Sequence, residues 1–239
     1  NSQGRDFDLE STTADQAYNG GAHLPVAVKA VSETQGVVIT WQGRLLRAYY
    51  SSTCGGRTAS AADIWPTGPG YEFNLDQPIQ AHHRQSACEI SPRYRWEAVR
   101  DRVELSKRVK EWGRANAHAV AKLGLINLVS ITNYNVDGRP TVYLIADDQK
   151  KTYSIKCEEL RQACNQTVAG LPELTKETRV WSSDFEIEVR GAKMTIRGRG
   201  FGHGVGMCQY CTKAMADRGG NWREIVLGFY PGTKLERAY

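Results

Sequence analysis

The sequence has no apolar run near the roughly 20 residues that a membrane-spanning helix requires, and its mean hydropathy is -0.50, so a transmembrane chain is excluded within these 239 residues. It lacks the basic start and apolar stretch of an export signal, and it lacks an initiator methionine. It opens instead on Asn1-Ser2-Gln3-Gly4-Arg5-Asp6, which reads as the cut edge of something longer. Charge of one dominant sign is missing too. The 31 basic and 26 acidic residues leave a net charge of +5 that is spread along the chain, so no nucleic-acid partner is called for. No repeat at a period of roughly 20–50 residues and no compositionally biased segment occurs, which removes solenoid and low-complexity architectures. No Pro/Ser/Gly linker divides the chain. With 41% hydrophobic and 24% charged residues, what remains is an ordinary globular composition, read as one continuous domain over residues 1–239.

The pattern of what is present is α+β, with antiparallel hairpins and short helices. Val26 to Val31 and Val37 to Trp41 read as short strands, and Trp41-Gln42-Gly43-Arg44-Leu45 as a tight hairpin turn into a third strand, Leu45 to Ser51. Turn formers around Trp65-Pro66-Thr67-Gly68-Pro69-Gly70 open an aperiodic stretch, and residues 66–88 are expected to form a loop insertion. Apolar residues at helical spacing predict an amphipathic helix from Trp96 to His118, interrupted near Gly113. Strands are predicted at Leu125 to Tyr134 and Thr141 to Ala146 around a turn at Asp137-Gly138, and at Thr152 to Ile155. A short helix follows from Cys157 to Cys164, then a hairpin of Phe185 to Val189 and Lys193 to Arg197 around Gly191. Gln209 to Arg218 reads as a helix stopped by Gly219-Gly220, and Asn221 with Glu224 as the cap of a second helix through Leu227, closed by Gly228 and Pro231.

Chemistry concentrates in two segments. From Gly198 to Gly206 glycine stands at every second position, around His203. A phosphate-binding fingerprint is excluded, because His203, Val205 and Met207 occupy the places of its third glycine. Such a run either approaches a ligand closely or is a packing turn around a hydrogen-bonded histidine. The second segment, Tyr49 to Thr58, ends in the hydroxyls of Ser51, Ser52 and Thr53 before Cys54-Gly55-Gly56, a row suited to a polar ligand such as a sugar. No Gly-x-Ser-x-Gly elbow is present, and a Cys54–His203 dyad rests on nothing beyond the two residue types. The six cysteines pose their own question. The default for Cys54 is a disulfide, with Cys88 as the nearest candidate. Cys208-x-x-Cys211 has the spacing of half a zinc site, but neither Cys54, Cys88 nor the pair His82-His83 supplies a second standard half, so no metal and no cofactor is expected. A disulfide between Cys157 and Cys164 is geometrically difficult, since two helical turns separate them by roughly 10 Å. Among the acids, Asp63, Glu89 and Glu97 lie near these segments but each reads equally well as a solvated charge.

The run from Phe201 to Ala216, followed by Ile225 to Leu227 and Phe229-Tyr230-Pro231-Gly232-Thr233-Lys234-Leu235, resembles the C-terminal signature of the SpoIID/LytB family. The same family has an Ala-Tyr-x-Ser-Ser-x-x-Gly-Gly-x-Thr stretch leading to a tryptophan, matched by Ala48 to Thr58 and Trp65. It also has a Ser-Pro-x-Tyr-x-Trp, matched by Ser91 to Trp96, and a Glu-Leu-Arg helix, matched by Glu159-Leu160-Arg161. The resemblance runs in the family's order from about Glu10 to the last residues.

It implies an extracytoplasmic lytic transglycosylase that cleaves peptidoglycan between N-acetylmuramic acid and N-acetylglucosamine, with glycan strands as substrate and a cell-wall amidase as a further partner. One Glu would protonate the glycosidic oxygen and then take the C6 hydroxyl proton as that oxygen closes onto C1, leaving a 1,6-anhydro product. The family's catalytic Glu lies in a Glu-Met-Pro segment with an Ala-rich helix, both preceding the stretch matched by Ser11 to Tyr18; neither occurs here. The N-terminal catalytic helix is therefore expected to be missing, and no residue of this chain inherits the catalytic role. A zinc cluster of some members falls on Glu10, Ala14 and Asp15, which are not its ligands. The resemblance carries over a substrate-groove role to Ser51, Ser52, Thr53, Gly55, Gly56, His203, Gly204, Gln209 and Tyr210. The other reading it allows is a non-catalytic peptidoglycan-binding or amidase-enhancing module.

Overall fold

The computed structural model describes residues 24–239, so the stretch from Glu10 to Tyr18 that enters the family comparison lies outside the described residues. In chain order the elements are α1 (Pro25–Glu33), β1 (Val37–Trp41), β2 (Arg44–Leu45), β3 (Tyr50–Ser51), α2 (Ala61–Ile64), β4 (Arg95–Asp101), α3 (Arg102–Ala115), β5 (Ile126–Tyr134) and β6 (Pro140–Asp147). They continue with β7 (Thr152–Lys156), α4 (Cys157–Cys164), β8 (Phe185–Arg190), β9 (Lys193–Arg199), β10 (Met207–Cys208), α5 (Gln209–Asp217), α6 (Trp222–Phe229) and β11 (Lys234–Arg237). This is the α+β architecture of antiparallel hairpins and short helices that the sequence predicts.

Contacts divide the described chain into two units, one running up to Val38 and taking in Glu236–Tyr239, the other Ile39–Leu235. The smaller contains α1 and is tied by a hydrogen bond from the Ala238 amide to the Gly36 carbonyl at 2.8 Å. Residues 26–31 are helical here, against the predicted strand. Their β-branched side chains suggest a strand, but Pro25 stands in the first helical turn, where its fixed φ helps and its missing N–H costs nothing.

The larger unit holds two antiparallel three-stranded sheets, β4-β9-β8 and β5-β6-β7, and a short parallel pair, β3-β10. The β1-β2 hairpin turns on Gln42 and Gly43, both at positive φ, as a two-residue turn requires. The strand expected from Leu45 to Ser51 is broken into β2 and β3. A second difference falls at residues 96–101, which form strand β4 and not the start of the helix. Trp96, Ala98 and Arg100 point inward while Glu97 and Val99 point out; the period of two is masked because a charged residue takes an inner position and an apolar one an outer position. Helix α3 starts at Arg102, where Asp101 accepts hydrogen bonds from the amides of Val103 (2.9 Å) and Glu104 (3.1 Å). Gly113 does not interrupt it: the glycine lies where any Cβ would meet Val120 and the Ala121 amide, so it marks a close crossing. Likewise α6 runs through Gly228 to Phe229.

Two cores result. The larger packs Leu105, Val109 and Trp112 of α3 and Leu160 of α4 against Tyr143, Ile145, Phe185, Met194 and Ile196 of the sheets. The smaller gathers Leu46, Ala59, Ile79, Val205, Ile225, Phe229 and Tyr230 around four cysteines. Residues 66–88 are irregular apart from 3-10 turns at Glu72–Leu75 and Gln77–Ile79. They are nonetheless fastened: the Asn74 amide donates to the Pro66 carbonyl (2.7 Å), its oxygen accepts from the Tyr49 hydroxyl (2.8 Å), and buried Asp76 accepts from Arg44.

Candidate functional site

The glycine-rich segment and the hydroxyl-bearing strand end are knitted together along their backbones. The parallel pair sets Met207 beside Tyr50 and Cys208 beside Ser51. Beyond it, Thr53 and Phe201 exchange both backbone hydrogen bonds (3.1 and 2.8 Å), the Ala59 amide donates to the Gly204 carbonyl (3.0 Å) and the Tyr210 amide to the Ser52 carbonyl (3.1 Å). The alternation of glycine is a consequence. Gly204 and Gly206 both sit at positive φ, and a Cβ would run into the Arg139 guanidinium at the first and the Tyr49 carbonyl at the second. Gly55 lies equally close against the backbone of Arg199 and Gly200, and Gly56 faces the Tyr94 hydroxyl.

The Ser-Pro-x-Tyr-x-Trp motif serves this knot. Ser91 Oγ is 2.7 Å from Thr53 Oγ1, the Tyr94 carbonyl accepts from the Gly200 amide (3.3 Å), and Trp96 Nε1 donates to the Gly200 carbonyl (2.9 Å). Arg139, a residue the sequence marks only as following a turn, is fully buried under Gly204. It donates to the Arg57 carbonyl (3.2 Å) and to Ser183 Oγ (3.1 Å).

His203 is committed on both ring nitrogens. Nδ1 accepts from the Val205 amide at 3.1 Å, and the Tyr50 backbone bonds the ring from the other side. Trp65 packs against it (centroids 4.9 Å) and is itself stacked on Tyr49 (4.0 Å). Burial is the main cause that lowers its pKa to about 4, so the ring is neutral at pH 7. This is the packing histidine of the two readings open in the sequence, and it leaves no nitrogen to activate Cys54.

The predicted groove residues separate into two groups. The Thr53 hydroxyl is buried on Ser91, and Ser51 Oγ is buried with no hydrogen-bond partner. Gln209 is exposed, whereas Ser52 and Tyr210 are half-buried and joined by the Tyr210–Ser52 backbone bond; the exposed Phe201 ring stands edge-on to Trp181 at 4.9 Å. Trp181, which also carries the Arg93 guanidinium 4.1 Å over its face, has no signal in the sequence beyond being a tryptophan in a polar stretch.

Among carboxyls, Glu89 is exposed, and Glu97 is exposed and paired with Arg197 at 2.8 Å. Asp63 differs from the solvated charge the sequence allows: it is half-buried with Oδ2 unpartnered, and burial raises its pKa. Hydrogen bonds with Ser60 oppose that rise most, and the charges of Lys156 and Arg139 add to them.

The cysteines converge. The Sγ atoms of Cys54, Cys88, Cys208 and Cys211 all lie within 4.8 Å of one another, and all four residues are buried. Cys54 and Cys88 are neighbours, but at 3.6 Å their sulfurs are far beyond the about 2.0 Å of a disulfide. Cys211 is almost as close to Cys54, at 3.8 Å. Hydrogen bonds from Cys208, Cys211 and Cys88 lower the Cys54 thiol, and Cys208 is the main cause that lowers Cys88 to about 7. Cys157 and Cys164 sit singly in the larger core, where burial raises them to about 11 and about 12. His82 and His83 turn elsewhere, to the Gln80 carbonyl (3.1 Å) and to Asp137 (3.0 Å).

An α+β protein in which a glycine-alternating segment is laced to a hydroxyl-rich strand end is thus defined by structure as well as by motif. The chain belongs to the family described as "Domain of unknown function (DUF8618)", which matches residues 70–206. It is similar to the "Amidase enhancer" of Bacillus subtilis (strain 168), 28% identical over 95% of this chain and 35% of that protein. It is also similar to "Stage II sporulation protein D" of the same organism (26%, covering 87% of this chain and 50% of that protein) and of Bacillus amyloliquefaciens (26%, 90% and 52%). The SpoIID resemblance read from the motifs therefore holds over most of the chain, which spans about a third to half of the length of these relatives.

Proposed function

We propose that this chain is the substrate-groove part of an extracytoplasmic, cell-wall lytic transglycosylase that cleaves peptidoglycan glycan between N-acetylmuramic acid and N-acetylglucosamine. The observation that carries the proposal is the lacing of the two motif segments. It joins the half-buried Ser52 and Tyr210 to each other, next in the chain to exposed Gln209 and to the Thr53–Phe201 backbone pair, and so gathers hydroxyl, amide and aromatic groups of the kind suited to a sugar chain. The relatives named stage II sporulation protein D and amidase enhancer support a cell-wall-related role, within which the transglycosylase is our reading. The chemistry calls for one carboxyl that is acid first and base second. Glu89 and Glu97 are too exposed for it, and the Glu-Met-Pro segment of the family it resembles does not occur in this chain, so the proposal assigns the acid to a Glu outside these 239 residues.

The name "Amidase enhancer" carried by one relative favours a second reading, a non-catalytic module that holds glycan for a cell-wall amidase. Incubating peptide-free glycan strands with the full-length polypeptide separates the two. New 1,6-anhydro ends, detected by mass spectrometry, are the expected result; retention of glycan without such ends refutes the transglycosylase and leaves the module.

A further inference from the structure

We propose that Cys54, Cys88, Cys208 and Cys211 bind a single zinc(II) ion as a tetrathiolate site that fastens the floor of the groove. A tetrahedral zinc with bonds of about 2.3 Å sets its sulfurs about 3.8 Å apart. The separations of 3.6 Å (Cys54–Cys88) and 3.8 Å (Cys54–Cys211) match, and no pair among the four exceeds 4.8 Å. A cluster of two or four irons with bridging sulfides would push its thiolates farther apart than this, which favours one ion.

The surroundings are those of sulfur ligands carrying negative charge. Cys208 Sγ accepts from the backbone amides of Cys54 (3.3 Å) and Cys211 (3.4 Å), and Cys211 Sγ from that of Ala87 (3.5 Å). Cys208 is also the N-cap of α5, so the positive end of that helix faces the cluster. Arg84 brings a guanidinium nitrogen to 3.9 Å of Cys54 Sγ and has a second buried nitrogen without a partner. A zinc tetrathiolate bears two net negative charges, which this arginine and these amides offset. Four thiols meeting only to fill space would require none of these donors.

Binding is balanced without a redox partner. Four thiols give up four protons to solvent, four zinc–sulfur bonds form, and no oxidant is consumed. The ion would join the turn after β3, the end of the 66–88 segment and the start of α5, segments 34 and 157 residues apart measured from Cys54. It would also shield the thiols from oxidation outside the cytoplasm.

Elemental analysis of the purified chain is the test, backed by cobalt(II) exchange and thiol counting under denaturing conditions. The expected result is about one zinc per chain, visible bands of tetrahedral cobalt–thiolate after exchange, and all six cysteines titrating as thiols once metal is chelated. Cys88→Ser should cut bound zinc at least tenfold after dialysis against chelator and change the cobalt spectrum, while Cys164→Ser should leave both as they were. Four of the six thiols tied up in disulfides with no zinc bound would overturn the proposal, as would iron in place of zinc with the colour of ferric thiolate. If Cys88→Ser fails to fold, the zinc content and cobalt spectrum of the unaltered chain still decide.

Discussion

At the scale of single residues most polar groups of the site are already engaged by other parts of the chain, and His203 is the clearest instance. Its two nitrogens serve the Val205 amide and the Tyr50 backbone, and it is neutral in the folded state because its pKa is lowered from 6.5 to about 4. Between those two values the unfolded chain binds a proton that the folded chain refuses. The contribution of His203 is therefore complete above about pH 6.5 and is lost as pH falls toward about 4. His203→Phe keeps a ring against Trp65 but leaves the Val205 amide unpaired, a loss of about 1–3 kcal/mol at pH 7. Thermal melts from pH 7 to pH 4 should show a shallower decline for the variant than for the parent. Parallel curves would mean that His203 is not the buried neutral group described. Because the ring is occupied, the same variant bears on the knot and not on proton transfer.

At the scale of elements, most of what was legible came from short-range signals. Gln42-Gly43 and Asp137-Gly138 are turns that dictate their hairpins locally, and Cys157–Cys164 has the helical bounds its pattern suggests. What was illegible depended on partners elsewhere in the chain. Residues 95–101 form a strand because β9 pairs with them along seven positions, from Arg95 opposite Arg199 to Asp101 opposite Lys193. Arg100 could take an inward position only because α3 supplies Glu104, which also receives Arg108; both arginines are almost wholly buried. Glu104→Gln leaves two buried guanidinium groups against a neutral amide. It should destabilise the protein by about 3 kcal/mol in urea denaturation, most of it the cost of uncompensated charge. A change below about 1 kcal/mol would show that solvent or the carbonyls of Thr178 and Gln166, which also accept from these arginines, already satisfy them.

At the scale of the whole molecule, the two cores of the larger unit differ in what can hold them together. The larger one has two three-stranded sheets and two helices to bury its apolar faces. The smaller has a two-residue parallel pair, short helices and the irregular 66–88 segment, with four of its twelve buried residues being cysteines. A core of that size closes little apolar area for the chain it orders, the circumstance in which proteins add a disulfide or a metal. The sequence could not reveal this, since two of the ligands lie on separate segments and the only standard spacing, Cys208-x-x-Cys211, is half a site. Metal removal should consequently act on one core alone. In hydrogen exchange after chelation, amides of Val205, Ile225 and Phe229 are expected to lose protection by tenfold or more, while those of Tyr143, Ile145 and Ile196 keep theirs. If both sets open together, the cores are one cooperative unit and the cysteine cluster is supporting the entire fold. If neither set opens, the apolar contacts around Val205 and Phe229 are sufficient without the ion.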